Sequence, residues 1–229
     1  MFRMRGRQVA VLIVGGLAVL VLASVVAYVL TRLGSLTPAD GAGFLALMAL
    51  LPMSAILFWA YGWTLAVAEA PAPYLGLDRL RLRWAAVGVG GGIAVAALSW
   101  AVVTLTSRWL GAPFNLFLEI LGKTAEVSLP LVVVLLLVGS VLAPLWEEIV
   151  FSGVLYTWAR RHFGVGLSAI GVACLHALMH VDPAVLPALV TIFTVFALLY
   201  EWSGNIWVPI LAHVTNNTLS FIWVFWQLG

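Results

Sequence analysis

Glu147 and Glu148 stand side by side in the run Pro144-Leu145-Trp146-Glu147-Glu148-Ile149-Val150-Phe151. Further along, His176 and His180 are four residues apart, and His213 and Asn217 repeat that spacing, with Asn216 beside the second. Residues four apart share a helix face, so each pair points one way if its segment is helical. Each pair alone has a bland reading, as a buried imidazole bonded to a carbonyl or a hydrogen-bonded carboxyl pair in the packing. Together they point to a buried polar site, and two chemistries fit it. Histidines at i and i+4, a further histidine and Glu147 allow a zinc ion with an open water position. However, His176-Ala177-Leu178-Met179-His180 lacks the glutamate of the H-E-x-x-H pattern. In the metal-free alternative, a glutamate in low dielectric takes a proton from water as general base. Histidine and asparagine donors then stabilise the oxyanion at the attacked carbonyl. Both chemistries hydrolyse an amide bond.

The rest of the chain says where such a site would lie. Of 229 residues, 64% are hydrophobic and only 9% charged, with a mean hydropathy of +1.13. Soluble domains carry about 25% charged residues, so a soluble enzyme, a secreted disulfide scaffold and a disordered segment are excluded. The net charge of +2 includes no basic stripe interleaved with aromatics, so nucleic acid is not an expected partner. A single cysteine, Cys174, leaves no intramolecular disulfide or CxxC site.

Long unbroken apolar runs predict an all-α fold, a polytopic transmembrane bundle of about seven spans (six to eight), with residues 1–229 forming one transmembrane domain. The expected spans are Val9–Leu30, Phe44–Ala68, Trp84–Leu105, Val127–Trp158 interrupted at Pro144, Gly166–Val181, Ala184–Tyr200 and Ile206–Leu228. The first reads as an uncleaved anchor, being longer than a signal-peptide core. Gly88, Gly90, Gly91 and Gly92 suit close helix packing. Residues 113–126 read equally as a short interfacial helix or a loop. Trp202, Trp207, Trp223 and Trp226 fit an interfacial aromatic belt.

Counting Lys and Arg on alternate sides sets Arg3, Arg5, Arg7, Arg79, Arg81, Arg83, Arg160 and Arg161 against Arg32, Arg108 and Lys123. By the positive-inside rule the N-terminus is expected to be cytoplasmic; the expected location is the plasma (inner) membrane of a prokaryote. Most charged residues then lie in loops or near span ends, and Glu147 and Glu148 are the exceptions. Each carboxylate at the centre of a span costs about 2.5–3.5 kcal/mol, and intramembrane ionisable groups are functional by default.

At this point the residues form a known pattern. Glu147-Glu148-x-x-Phe151-x-Gly153, then His180, then His213-x-x-x-Asn217 resembles the CPBP family, the CAAX-processing and bacteriocin-processing intramembrane proteases of type II CAAX prenyl endopeptidase kind. The family's usual signatures are E-E-x-x-x-R, F-x-x-x-H and H-x-x-x-N. The resemblance covers roughly residues 127–221. It implies that Glu147 activates water with Glu148 in support, that His180 assists at the water and the tetrahedral centre, and that His213 and Asn217 meet the oxyanion. It also implies a glutamate-type mechanism without an obligatory metal, and a membrane-tethered protein or peptide as substrate.

Two positions depart from the signatures. Ser152 stands where the family has arginine, and His176 where it has phenylalanine. Without the arginine, Glu148 is expected to stay protonated or to bond a histidine or Ser152. A protonated His176 would supply the missing positive charge. The leading expectation is an intramembrane endopeptidase acting near its substrate's C-terminus. The competing one is a catalytically silent relative serving as regulator or self-immunity factor, and a weaker third is a proton-coupled transporter, which no inverted repeat supports.

Overall fold

A segment in hydrocarbon must satisfy its backbone polar groups internally, and a helix does this alone. Every regular element among the described residues is accordingly helical. The computed structural model describes residues 6–33, 77, 80–110, 133, 136–180 and 185–228. We number the helices α1 (Gly6–Leu33), α2 (Leu82–Leu110), α3 (Val138–Phe163), α4 (Val165–Leu178), α5 (Leu186–Ser203) and α6 (Trp207–Leu228). Four of them (α1, α2, α3 and α5) are long and apolar enough to cross a membrane, and α4 is a shorter apolar helix. Val14, Leu17, Val21 and Leu22 of α1 stay exposed, as side chains solvated by hydrocarbon do. The span expected over 44–68 and the loop or interfacial helix over 113–126 lie outside the described residues.

The chain packs as two compact units, one of Met1–Pro71 and Leu116–Trp146, the other of Ala72–Asn115 and Glu147–Gly229. In the first, α1 and the start of α3 are described. Pro144 was expected to interrupt its apolar stretch, but the helix runs through it. The reason is local. Proline has no N–H to donate, and its ring clashes with the carbonyl four residues back. Residues Val138–Leu142 widen into π-helix, and the Ala143 N–H bonds the Val138 carbonyl five residues behind. That shift takes the backbone out of the α register where the proline would collide.

The second unit holds the rest of α3 with α2, α4, α5 and α6. Helix α6 lies along α2, and α5 packs on α4, α2 and α6. Their shared core is Val95, Ala173, Ala177, Ile192, Phe193, Phe196 and Ala212. Of the four glycines expected to allow close packing, Gly88 and Gly92 do so against α6. A Cβ on Gly88 would lie 2.8 Å from Leu211 Cβ, and one on Gly92 would lie 2.5 Å from the Ala212 carbonyl oxygen and from Thr215 Cβ. Gly91 faces Leu199 at 3.3 Å, while Gly90 meets nothing within 4 Å. Edge-to-face pairs, Trp84 on Trp202 at 5.8 Å and Trp100 on Trp223 at 5.0 Å, fasten α2 to α5 and α6. The Trp207 indole N–H donates to the Leu77 carbonyl at 2.8 Å. Three of the expected belt tryptophans therefore also pin helices.

The connections are short. Gly164 alone separates α3 from α4 at φ +78°, and Gly204 ends α5 at φ +60°, both backbone states that disfavour a side chain. Asn205 Oδ1 then accepts from the Trp207 N–H at 3.0 Å, capping the start of α6. Because Ala212 and Thr215 flank His213, the contact at Gly92 sets the depth of α6 around that histidine. Gly92→Ala should therefore destabilise the protein by about 1–3 kcal/mol through overpacking, read as a lowered melting temperature in detergent. Gly90→Ala should leave it unchanged.

Candidate active site

Successive residues on a helix diverge by about 100°, so Glu147 and Glu148 cannot point the same way. One group serves both only if it lies in the angle between them, and His213 of α6 does. Its Nδ1 is 2.9 Å from Glu148 Oε1, and its Nε2 is 3.6 Å from Glu147 Oε2. The first is a hydrogen bond; the second is longer than one. Phe196 of α5 covers the His213 ring at 4.8 Å between centroids.

Glu148 is sealed, with 1% of its surface exposed. Its second oxygen accepts from the Ser152 hydroxyl at 2.5 Å. Of the outcomes expected for Glu148, bonding to a histidine and bonding to Ser152 thus occur together. The segment carrying both residues explains the contact: Ile149–Tyr156 is π-helical. In an α-helix a step of four residues overshoots the 3.6-residue turn, whereas a π-turn is wider than four residues. Mixing the two keeps Glu148, Ser152, Tyr156 and Arg160, each four apart, on one line. Tyr156 and Arg160 also bond, the phenol donating to Glu201 Oε2 at 2.9 Å and the guanidinium pairing with Glu201 Oε1 at 2.5 Å. Arg160, read from sequence as a topological charge, therefore also ties α3 to α5. Trp158 packs with His162 and Phe163 at the end of α3.

His176 of α4 is 2% exposed, and its Nε2 lies 3.1 Å from Glu147 Oε2. The imidazole expected beside Glu148 is placed instead against Glu147, because α4 approaches that side of α3. Its ring lies between Phe151 at 3.9 Å and 4° and Phe193 at 3.5 Å and 10°. His180 stands past the end of α4 in an exposed turn, its Nδ1 3.3 Å from the His176 carbonyl oxygen. Asn217 lies one turn beyond His213, half-buried, and its Oδ1 accepts from Asn216 Nδ2 at 3.1 Å. The structure thus joins Ser152, Glu148, His213, Glu147 and His176 in one chain of contacts, with His180 and Asn217 at its margins.

Zinc held by the histidines and Glu147 would need their donor atoms free to converge on an ion. Here the Nε2 atoms of His176 and His213 are turned to Glu147 Oε2 itself. Among the described residues, no three His, Cys, Asp or Glu side chains form a metal-holding group. As arranged, these donors are turned to one another rather than to an ion. Sequence reasoning missed the aromatic walls, Phe193 and Phe196. Their i, i+3 spacing on an apolar helix is indistinguishable from ordinary core.

Residues 129–219 match the family model described as type II CAAX prenyl endopeptidase Rce1-like. The resemblance seen in the motifs is thereby borne out over that stretch. A curated relative, "Putative membrane peptidase YdiL" of Bacillus subtilis (strain 168), is 26% identical over 140 residues, 55% of this chain and 56% of the relative. The chain thus spans about half the length of that relative. No solved structure matches.

Removing the Ser152 hydroxyl leaves a buried carboxylate oxygen unsatisfied. Ser152→Ala should cost about 1–3 kcal/mol, measured by thermal unfolding in detergent. Ser107→Ala, which removes only a bond to the residue's own helix at Thr104, should stay within about 0.5 kcal/mol of the parent.

Proposed function

We propose that this chain is an intramembrane endopeptidase in which Glu147 activates the attacking water. One observation carries the reading: within the bonded cluster Glu147 keeps 19% of its side-chain surface accessible, while Glu148, His176 and His213 keep 1–3%. A base must reach water, and Glu147 is the member placed to do so.

Its Oε2 is held by His176, which leaves Oε1 to take a proton from water. The resulting hydroxide adds to the scissile carbonyl carbon. The oxyanion so formed is met by donors from His213 and Asn217, with His180 at the mouth of the site. Collapse of the tetrahedral centre breaks the C–N bond, and Glu147 returns its proton to the departing amine. Glu148, anchored by Ser152, holds His213 in orientation and stays out of contact with substrate. Hydrolysis on these terms consumes one water and needs no metal.

The substrate is a membrane-associated protein or peptide cut near its C-terminus. The family match supports a CAAX-type substrate class, and the Arg-rich side of the chain supports a cytoplasmic N-terminus.

The test is cleavage of a quenched fluorogenic peptide ending in a prenylated Cys-a-a-X sequence, by protein reconstituted in liposomes. Glu147→Gln, which keeps shape and removes the base, should lower kcat by about 10²–10⁴-fold with an unchanged melting temperature. Cleavage indifferent to that change overturns the assignment of Glu147 as the base, and cleavage absent from the parent overturns the reading in favour of a catalytically silent relative that binds a membrane partner. Chelator should leave the rate unaltered; loss on chelation with recovery on adding zinc would overturn the metal-free mechanism.

A further inference from the structure

We infer that His176 is a positioning residue for Glu147, held for that task by a three-ring stack. The inference deepens the reading of Glu147 as the base and rests on it.

Three observations converge. First, both faces of the His176 ring are covered nearly coplanar, by Phe151 of α3 and Phe193 of α5, so the imidazole cannot turn about its axis without parting two aromatic contacts. Only its edge is left for hydrogen bonding. Second, that edge presents Nε2 at 3.1 Å from Glu147 Oε2. A carboxylate only accepts, so with Glu147 ionised the Nε2–H donates. The other imidazole near this oxygen, His213, stands at 3.6 Å and is bonded to Glu148 instead. His176 therefore makes the shorter contact to the base. Third, Glu147 is the exposed member of the cluster. Its long side chain has the most freedom to swing toward the opening and the most to lose without an anchor.

The consequence is geometric. Fixing Oε2 fixes the carboxylate plane, and with it the direction in which Oε1 meets water. The three rings come from three helices, so the stack also transmits the placement of α4 and α5 to the catalytic carboxylate. A phenylalanine at position 176 would complete the same stack but could not donate to Glu147. The histidine adds to the clamp the one N–H that the base needs. Phe151 and Phe193, which have no titratable group, thereby become part of the positioning apparatus.

The experiment uses the liposome assay with the prenylated peptide. His176→Phe should keep the fold and lower kcat by about 10–100-fold, the range a misplaced group costs, with KM within twofold. A paired comparison controls for packing: His176→Gln retains an N–H near the Nε2 position and should recover most of the rate, whereas His176→Met, of similar length and without a donor, should not. Phe193→Leu, which frees one face of the ring, should lower kcat in the parent and leave His176→Phe unaffected. Parent-like kcat in both His176→Phe and His176→Met overturns the inference, as does equal activity of the Gln and Met variants. Glu147→Gln in the same series separates the two claims. If it is inactive while His176→Met is fully active, only the positioning role fails; if it is active, the base assignment fails as well.

Discussion

Two carboxylates placed next to each other in an apolar helix set the terms for the rest of the structure. Each resists leaving water, and their side chains diverge, so no single face of a neighbouring helix can satisfy both. The protein answers with His213, which comes from the far end of the sequence and lies in the angle between them. Much else follows from that placement. Helix α6 must approach at a fixed depth, and the contact of Gly88 and Gly92 with its backbone supplies that depth. The remaining oxygen of Glu148 needs a donor on its own helix, and the π-helical stretch brings Ser152 to it.

Helix α5 contributes no polar atom to the bonded cluster, yet it limits what the cluster can do. Phe193 and Phe196 cover the two buried imidazoles, which restricts each ring to its edges. Further along, Glu201 of α5 pairs with Arg160 and Tyr156, so the walls and the polar stripe of α3 are fastened together. Catalytic sites in low dielectric depend on such preorganisation, because dipoles already in place need not reorient as charge develops.

The departures from the family signatures make sense in this frame. Ser152 in place of arginine removes a cation beside Glu148, and the sealed carboxylate then takes its donors from Ser152 and His213. The additional imidazole at position 176 does not fill the same place; it reaches the neighbouring acid. Sequence spacing alone suggested a direct exchange of one positive charge for another. The approach of α4 to the Glu147 side of α3 turned that exchange into a redistribution.

Much of this protein was legible without coordinates. Composition determined the solvent, because 9% charge cannot clothe a soluble globule. Apolar run length located the helices, since helix length and bilayer thickness are set by the same backbone geometry. The cost of burying a carboxylate singled out Glu147 and Glu148, and i, i+4 spacing paired His176 with His180 and His213 with Asn217. The spacing could not say which member of a pair would meet which acid. His176 touches Glu147 while His180 sits in a turn beyond the helix end, because that depends on where α4 stops and on how three helices cross. Nor could it show that Pro144 lies inside an unbroken helix or that Ile149–Tyr156 widens into π-turns, since local propensity does not encode a bulge stabilised by neighbours. That Glu147 stays accessible while Glu148 is sealed was likewise decided by tertiary structure alone. Two identical side chains at adjacent positions carry the same chemistry until packing gives one of them access to water.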